Sequence, residues 1–171
     1  MEERETVAVP GARAAVDAEF SVFYRTDMPR LVGFLRWQGV PLSDATDVAQ
    51  EAMLEAYRRW ADIEYPKAWV RRVASRCWVR RVASAPEEPV ADPPGGVLTV
   101  TDIEAWEGRH HVLGLLDLLP ARQRQVLAWW LDGFRATEIA VELRMSPDAV
   151  RASLFRARRA LENHLGESDD E

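Results

Sequence analysis

The stretch from Ser146 to Leu161, Ser-Pro-Asp-Ala-Val-Arg-Ala-Ser-Leu-Phe-Arg-Ala-Arg-Arg-Ala-Leu, constrains this chain more than any other, because it carries a helix start signal followed by two chemically different faces. Ser146 can cap the free N–H groups of a first turn. Pro147 suits the first helical position, where its missing N–H costs nothing, and Asp148 puts negative charge near the positive end of the helix dipole. Val150, Leu154, Ala157 and Leu161 recur at spacings of four, three and four and share one apolar face. At about 100° per residue, Arg151, Ala152, Phe155, Arg156 and Arg159 fall on the opposite side, which is cationic with one aromatic in the middle.

The residues before this helix give it a context. Pro120 to Asp132 reads as a helical run with Val126, Leu127, Trp130 and Leu131 as its apolar positions, and Gly133 can end it in a left-handed conformation. A shorter run from Ala136 to Arg144 places Ile139, Ala140 and Leu143 on one face. Two short helices, a tight turn and a basic second helix make a helix-turn-helix, whose second helix enters the DNA major groove. A three-helix bundle with a solvated arginine face fits the same pattern, and periodicity alone leaves both open.

Charge sharpens the question. The chain of 171 residues carries a net charge of -6, whereas a protein that grips DNA unaided needs an excess of Lys and Arg for the phosphate contacts. Acid concentrates at the ends (Glu2, Glu3, Glu5; Glu167, Asp169, Asp170, Glu171) and between Glu87 and Glu107, leaving two basic regions. A partner that supplies most of the DNA affinity reconciles an acidic total with basic faces. Cys77 is the only cysteine, so an internal disulfide or a thiolate zinc site is excluded, and a buried thiol is expected. The sequence shows no membrane-length apolar run and no signal peptide, so a cytoplasmic location is expected.

Taken in order, residues 1–13 lack periodicity and read as a disordered tail. From Ala14 a helix follows, with Phe20, Phe23, Tyr24, Met28, Leu31 and Leu35 as its buried side, Pro29 starting or bending its second half, and Gly39 and Pro41 closing it. Ser43 is expected to cap the next helix, which runs to about Trp60. Its inner side is Val48, Ala49, Ala52, Met53, Ala56 and Tyr57, and its outer side carries Asp44, Asp47, Gln50, Glu51 and Glu55. By composition that acidic face is a solvated one. After a loop over 61–65, Pro66 opens a helix to Val82 with Val70, Val73, Ala74 and Cys77 inward. Trp69, Arg72, Arg76 and Arg80 form a neighbouring stripe, with Arg58, Arg59, Lys67, Arg71 and Arg81 close in sequence. Such a stripe can hold phosphates and stack an unpaired base, or it can be a solvated face with Trp69 tucked into the core.

The composition then changes. Pro86, Pro89, Pro93-Pro94 and Gly95-Gly96 with scattered acid resist regular structure and read as a linker over 84–108. Val112, Leu115, Leu116 and Leu119 begin the second helical block, and His110-His111 reads as a helix start rather than a metal site, since no further ligands lie nearby. No Gly-rich phosphate loop, His-Glu-x-x-His or Gly-x-Ser-x-Gly occurs, so no enzyme, no cofactor, no catalytic or metal site and no small-molecule substrate is expected.

Taken together the motifs resemble the extracytoplasmic-function (ECF) sigma factors of bacterial RNA polymerase. Asp47-Val-Ala-Gln-Glu-Ala-Met-Leu54 is similar to the family's Asp-Leu-Val-Gln-Glu-Thr-Phe-Leu segment, and Pro66-Lys-Ala-Trp-Val-Arg-Arg-Val-Ala74 to its Pro-x-x-Trp-Leu-x-x-Ile-Ala segment. Leu118 to Leu127, Glu138-Ile-Ala140 and Ser146 to Leu161 match the second block in order, so the resemblance spans about Phe20 to Leu165 apart from the linker. It implies an all-α fold of two small helical domains, region 2 over 14–83 and a region 4 helix-turn-helix over 109–165, joined by a flexible linker and followed by an acidic tail over 166–171.

The resemblance also implies a transcription initiation factor that binds core RNA polymerase, selects promoters and assists opening. Asp47, Gln50, Glu51 and Leu54 would dock on the polymerase clamp helices, with the flap as a second polymerase contact. Asp62, Trp69, Arg72, Arg76 and Arg80 would meet the −10 element, and Arg151, Ala152, Phe155, Arg156 and Arg159 the −35 element. An anti-sigma factor is a possible further partner, and membrane insertion is not expected. Met53 stands where the family usually has Phe, Ser75-Arg76 where Arg-Asn is frequent, Arg135 where a capping Ser is common, and Ser153 where Arg often follows the turn. No appended regulatory domain is expected after the helix-turn-helix. The competing class is a stand-alone helix-turn-helix regulator, which predicts a dimer interface that no heptad pattern supports. An enzyme with a DNA-binding tail lacks its catalytic constellation.

Overall fold

The computed structural model describes residues 10–84 and 113–168, and these are helical apart from short connections. The expected linker, most of the N-terminal tail and the His110-His111 pair lie outside the described residues. Helix α1 (Pro10–Trp37) begins within the segment expected to be disordered and continues through Pro29. Helix α2 spans Leu42–Arg58, a 3-10 turn spans Trp60–Asp62, and α3 spans Pro66–Ser84. In the second block, α4 covers 113–117, α5 is Ala121–Leu131, α6 is Ala136–Leu143 and α7 is Pro147–Ser168.

The first domain packs α1, α2 and α3 around Leu31, Phe34, Leu35, Val48, Ala52, Met53, Val70, Val73 and Ala74, all essentially without solvent exposure. Small residues on α2 (Ala45, Ala49, Ala52, Ala56) let its neighbours approach closely. An aromatic group closes the outer end: Phe20 lies 5.0 Å from Tyr57 and 5.1 Å from Trp60, and Phe23 lies 4.9 Å from Trp60. Tyr57 donates a hydrogen bond of 2.7 Å to Asp17.

Three expectations fail here for identifiable reasons. Ser43 does not cap α2; Pro41 occupies that position with no side-chain bond, because α2 starts at Leu42, two residues before the start that a Ser43 cap implies. Tyr24 is exposed, while Phe34, absent from the expected core, is completely buried. In α5 the buried indole is Trp129; Trp130 and Leu131 are both 39% exposed. A one-residue rotation of the apolar stripe, about 100°, separates the two readings, and the first domain decides it.

Phe34 and Trp129 meet edge to face across the two domains at 5.3 Å, and Phe134 adds a second edge contact to Trp129 at 4.8 Å. The described buried apolar residues form one continuous cluster through this junction. Gly39, which closes α1 beside Arg124 of α5, takes φ +86°, a left-handed conformation that favours glycine.

Candidate nucleic-acid interfaces and the acidic face

Helix α7 is built as its sequence requires. Ser146 Oγ accepts a 3.1 Å hydrogen bond from the Ala149 N–H, the capping interaction that fixes the start of the helix. Val150, Leu154 and Ala157 are buried, and Ser153 joins them at 3% exposure. Arg151, Ala152, Phe155, Arg156 and Arg159 are all exposed. Asp148 pairs with Arg151 one turn on, whereas neither Arg156 nor Arg159 has an ion pair among the described residues. Arg158 lies 4.2 Å over the ring of Trp130, which covers part of that indole and takes Arg158 out of the cationic face.

The turn before α7 uses a feature that the sequence did not signal. Arg144 takes the left-handed conformation at φ 52°, unusual for a residue with a Cβ. Met145 N–H returns to Ala140 O at 2.9 Å, and Arg122 donates to Leu143 O at 2.7 Å, so the carbonyls at the end of α6 are bonded. Arg135, at the start of α6, works without the expected Ser. Glu138 accepts its backbone N–H at 2.7 Å and pairs with its guanidinium at 3.2 Å. The Arg135 side chain and backbone hold the Glu138 carboxyl below the usual carboxylate range.

In the first domain, Asp47, Gln50, Glu51 and Leu54 are all exposed along α2. The acid is flanked by the end of α3: Arg81 Nη1 lies 3.1 Å from Asp44 and 3.6 Å from Asp47, and Arg80 lies 4.0 Å from Glu51. Exposed pairs of this kind contribute little to stability, which leaves these carboxylates available to a partner. Cys77 sits beneath them at 4% exposure. Burial pushes its thiol up, an effect opposed by the Arg80 hydrogen bond at 3.2 Å and reinforced by the Glu51 carboxylate.

On α3 the stripe divides. Arg72, Arg76 and Arg80 are exposed, as is Asp62 in the preceding 3-10 turn. Trp69 is half-buried and packed against the core, so it shows only part of its ring. The main correction concerns Arg71. Grouped by sequence with the surface cations, it is completely buried. Its guanidinium bonds to Asp27 of α1 and makes a two-pronged contact with Asp132, Nε to Oδ2 at 2.6 Å and Nη2 to Oδ1 at 3.1 Å. Lys67, one turn earlier, donates to Asp132 O at 2.7 Å and lies 4.8 Å over the Phe134 ring. Buried Arg71 and the partly exposed Lys67 thus face two buried carboxylates, Asp27 and Asp132, and the four charges balance. Sequence reasoning missed Asp27 and Asp132 because each is a lone acid in a helix or turn; the only clue was that Lys67, Arg71 and Ala74 continue the inner side of α3 around by one row.

The described residues thus form two all-α blocks that present two cationic helices and one acidic face. Comparison with known proteins gives this arrangement its name. The family model for Sigma-70 region 2 matches residues 23–86 and that for Sigma-70, region 4 matches 110–161. A probable RNA polymerase sigma factor, RfaY of Xanthomonas campestris pv. campestris, is 29% identical over 136 residues, which is 70% of this chain and 33% of the relative. The chain therefore spans about a third of the length of that relative. Among solved structures, CnrH in complex with the cytosolic domain of CnrY superposes with a TM-score of 0.67 at 21% identity, covering 91% of this chain and 95% of that one. The sigma factor RpoE in complex with the anti-sigma factor NepR, from Bartonella quintana, gives 0.65 at 20% identity, covering 86% and 97%. The two models together take in most of the chain, which belongs to the Sigma-70 family, with region 2 in α1–α3 and region 4 in α4–α7.

Proposed function

We propose that this chain is a transcription initiation factor that brings core RNA polymerase to promoters and assists their opening. The observation that carries this reading is the presence, in one chain and in family order, of an exposed acidic face on α2 and an exposed cationic face on α7. Asp47, Gln50, Glu51 and Leu54 form the polymerase-docking face, directed at the clamp helices, while region 4 meets the flap. Asp62, Trp69, Arg72, Arg76 and Arg80 engage the −10 element, and Arg151, Ala152, Phe155, Arg156 and Arg159 the −35 element. The protein acts by binding rather than by catalysis, in the cytoplasm beside the polymerase. The partners named with CnrH and RpoE support an anti-sigma factor as its regulator.

The net charge of -6 fits this division of labour, since a protein with that balance takes its DNA affinity from the complex it joins. The test is Gln50→Ala combined with Glu51→Arg. Both side chains are exposed, and the ion pair lost is a 4.0 Å surface contact, so folding stability should change by no more than about 0.5 kcal/mol. Affinity for core polymerase, measured by titration, should fall. Unchanged affinity overturns the docking face, and failure of the wild-type chain to co-elute with core polymerase overturns the function.

A further inference from the structure

We infer that Arg80 and Arg81, at the end of α3, are built-in competitors at the polymerase-docking face of α2: they occupy the carboxylates that the polymerase must take, and so set how tightly the chain docks. The inference rests on the assignment of that face to polymerase.

Each carboxylate on the outer side of α2 already has an arginine of its own chain. Glu55 Oε1 lies 3.8 Å from Arg59 and Glu51 Oε1 lies 4.0 Å from Arg80, while Asp44 and Asp47 lie 3.1 Å and 3.6 Å from the same Nη1 of Arg81. Four carboxylates thus face three guanidinium groups, and this paired set carries a net charge of -1. A strip that is acidic in sequence is nearly neutral in the fold. A basic partner surface gains little long-range attraction from such a set, and at contact its cations meet arginines beside the acids they seek. Arg81 stands among the cations of α3 in sequence, but its hydrogen bond and its ion pairs are all to α2.

The two arginines can be displaced because each has a second anchor. Arg81 donates a hydrogen bond to the partly buried Asp44, whereas its contact with the exposed Asp47 is ionic and beyond hydrogen-bond length. Arg80 donates to the Cys77 sulfur at 3.2 Å, and its contact with Glu51 is likewise ionic. In both cases the longer contact is the one to the docking face. Losing it leaves Arg81 on Asp44 and Arg80 on the thiol, so neither charge is stranded. Exposed pairs of this kind are worth a factor of about 1.4 to 5 in an equilibrium constant, enough to tune docking without blocking it.

The experiment titrates core RNA polymerase against the full chain, labelled at its N-terminus and followed by fluorescence anisotropy, without DNA and over a range of salt concentrations. Arg81 is the residue changed, because Arg80 is assigned to the −10 element. Arg81→Gln and Arg81→Met remove the charge, Arg81→Lys keeps it, and Asp47→Asn is made alone and together with Arg81→Gln. Urea unfolding followed by circular dichroism reports folding. Loss of the Arg81 charge leaves the paired set more negative, so both neutral variants should bind polymerase about two- to fivefold more tightly, and their affinity should fall more steeply with salt. Arg81→Lys should bind like the wild type. Asp47→Asn should bind more weakly, and in that background Arg81→Gln should gain little, because the competition acts through Asp47. If one neutral variant does not fold, the other decides. Unchanged affinity in a folded neutral variant overturns the competition. Lower affinity makes Arg81 a positioning residue for Asp47 and overturns it too. A gain of the same size with and without Asp47 reduces the effect to net charge and overturns the specific contact. Unchanged affinity for Asp47→Asn, by contrast, overturns the docking face itself.

Discussion

Removing Arg71 should be among the most damaging single changes to the fold. Its side chain has no solvent exposure, and those of Asp27 and Asp132 have 6% and 5%. Arg71→Ala therefore leaves two buried carboxylates with only Lys67 Nζ, 3.7 Å from Asp132, as a remaining counter-charge. Breaking one member of a buried ion pair costs about 3–5 kcal/mol, because the partner's charge is left uncompensated. At this burial, solvent screening removes little of that. Arg71→Lys keeps the charge but loses the planar fork that reaches Asp27 and both Asp132 oxygens. Its cost should be about 2 kcal/mol, one or two charged hydrogen bonds. The triple change Asp27→Asn/Arg71→Met/Asp132→Asn should cost less than Arg71→Ala, since it strands no charge even though it removes more polar contacts. Urea unfolding followed by both tryptophan fluorescence and far-ultraviolet circular dichroism measures each value from the midpoint and slope. A loss below about 1 kcal/mol for Arg71→Ala, or a triple variant less stable than the single one, would refute the reasoning that an unpaired buried charge dominates.

Other expectations follow from the two reading helices and the thiol. Trp69→Ala should impair binding to pre-melted promoter more than to duplex, by about 1–3 kcal/mol for one lost stacking contact, and an equal defect on both would exclude base stacking. Because Trp69 is half-buried, its thermal unfolding should be measured alongside, and a collapse of the fold would assign it to the core. Arg156→Ala should relax preference at one or two −35 positions, worth about 1–3 kcal/mol if the guanidinium reads a guanine, whereas Arg159→Ala should weaken all promoters alike and reduce salt dependence. Transcription by the holoenzyme from a −35 library separates the two, and an unchanged profile for Arg156→Ala sinks base reading there. Cys77 should resist alkylation at mildly alkaline pH, because burial raises its thiol and keeps it protonated. Iodoacetamide labelling should accelerate sharply in urea; equal rates in native and unfolded protein would contradict the buried site.

Much of this molecule is written locally. The Ser146-Pro147-Asp148 start, the spacing of Val150, Leu154 and Ala157 and the arginines opposite them dictate α7 and its two faces, because a cap and a helical period need only neighbours in sequence. The acidic outer side of α2 and the apolar inner side of α3 follow from the same period. Tertiary structure alone decided which residue one position around the helix is buried. Trp129 rather than Trp130 fills the junction because Phe34 and Phe134 stand there to receive it. Arg71 is buried rather than exposed because Asp27 and Asp132, one from each helical block, neutralise it. A guanidinium reads as a surface group until its partners are placed, and a buried ion pair across more than 40 residues of separation leaves no periodic trace in either segment.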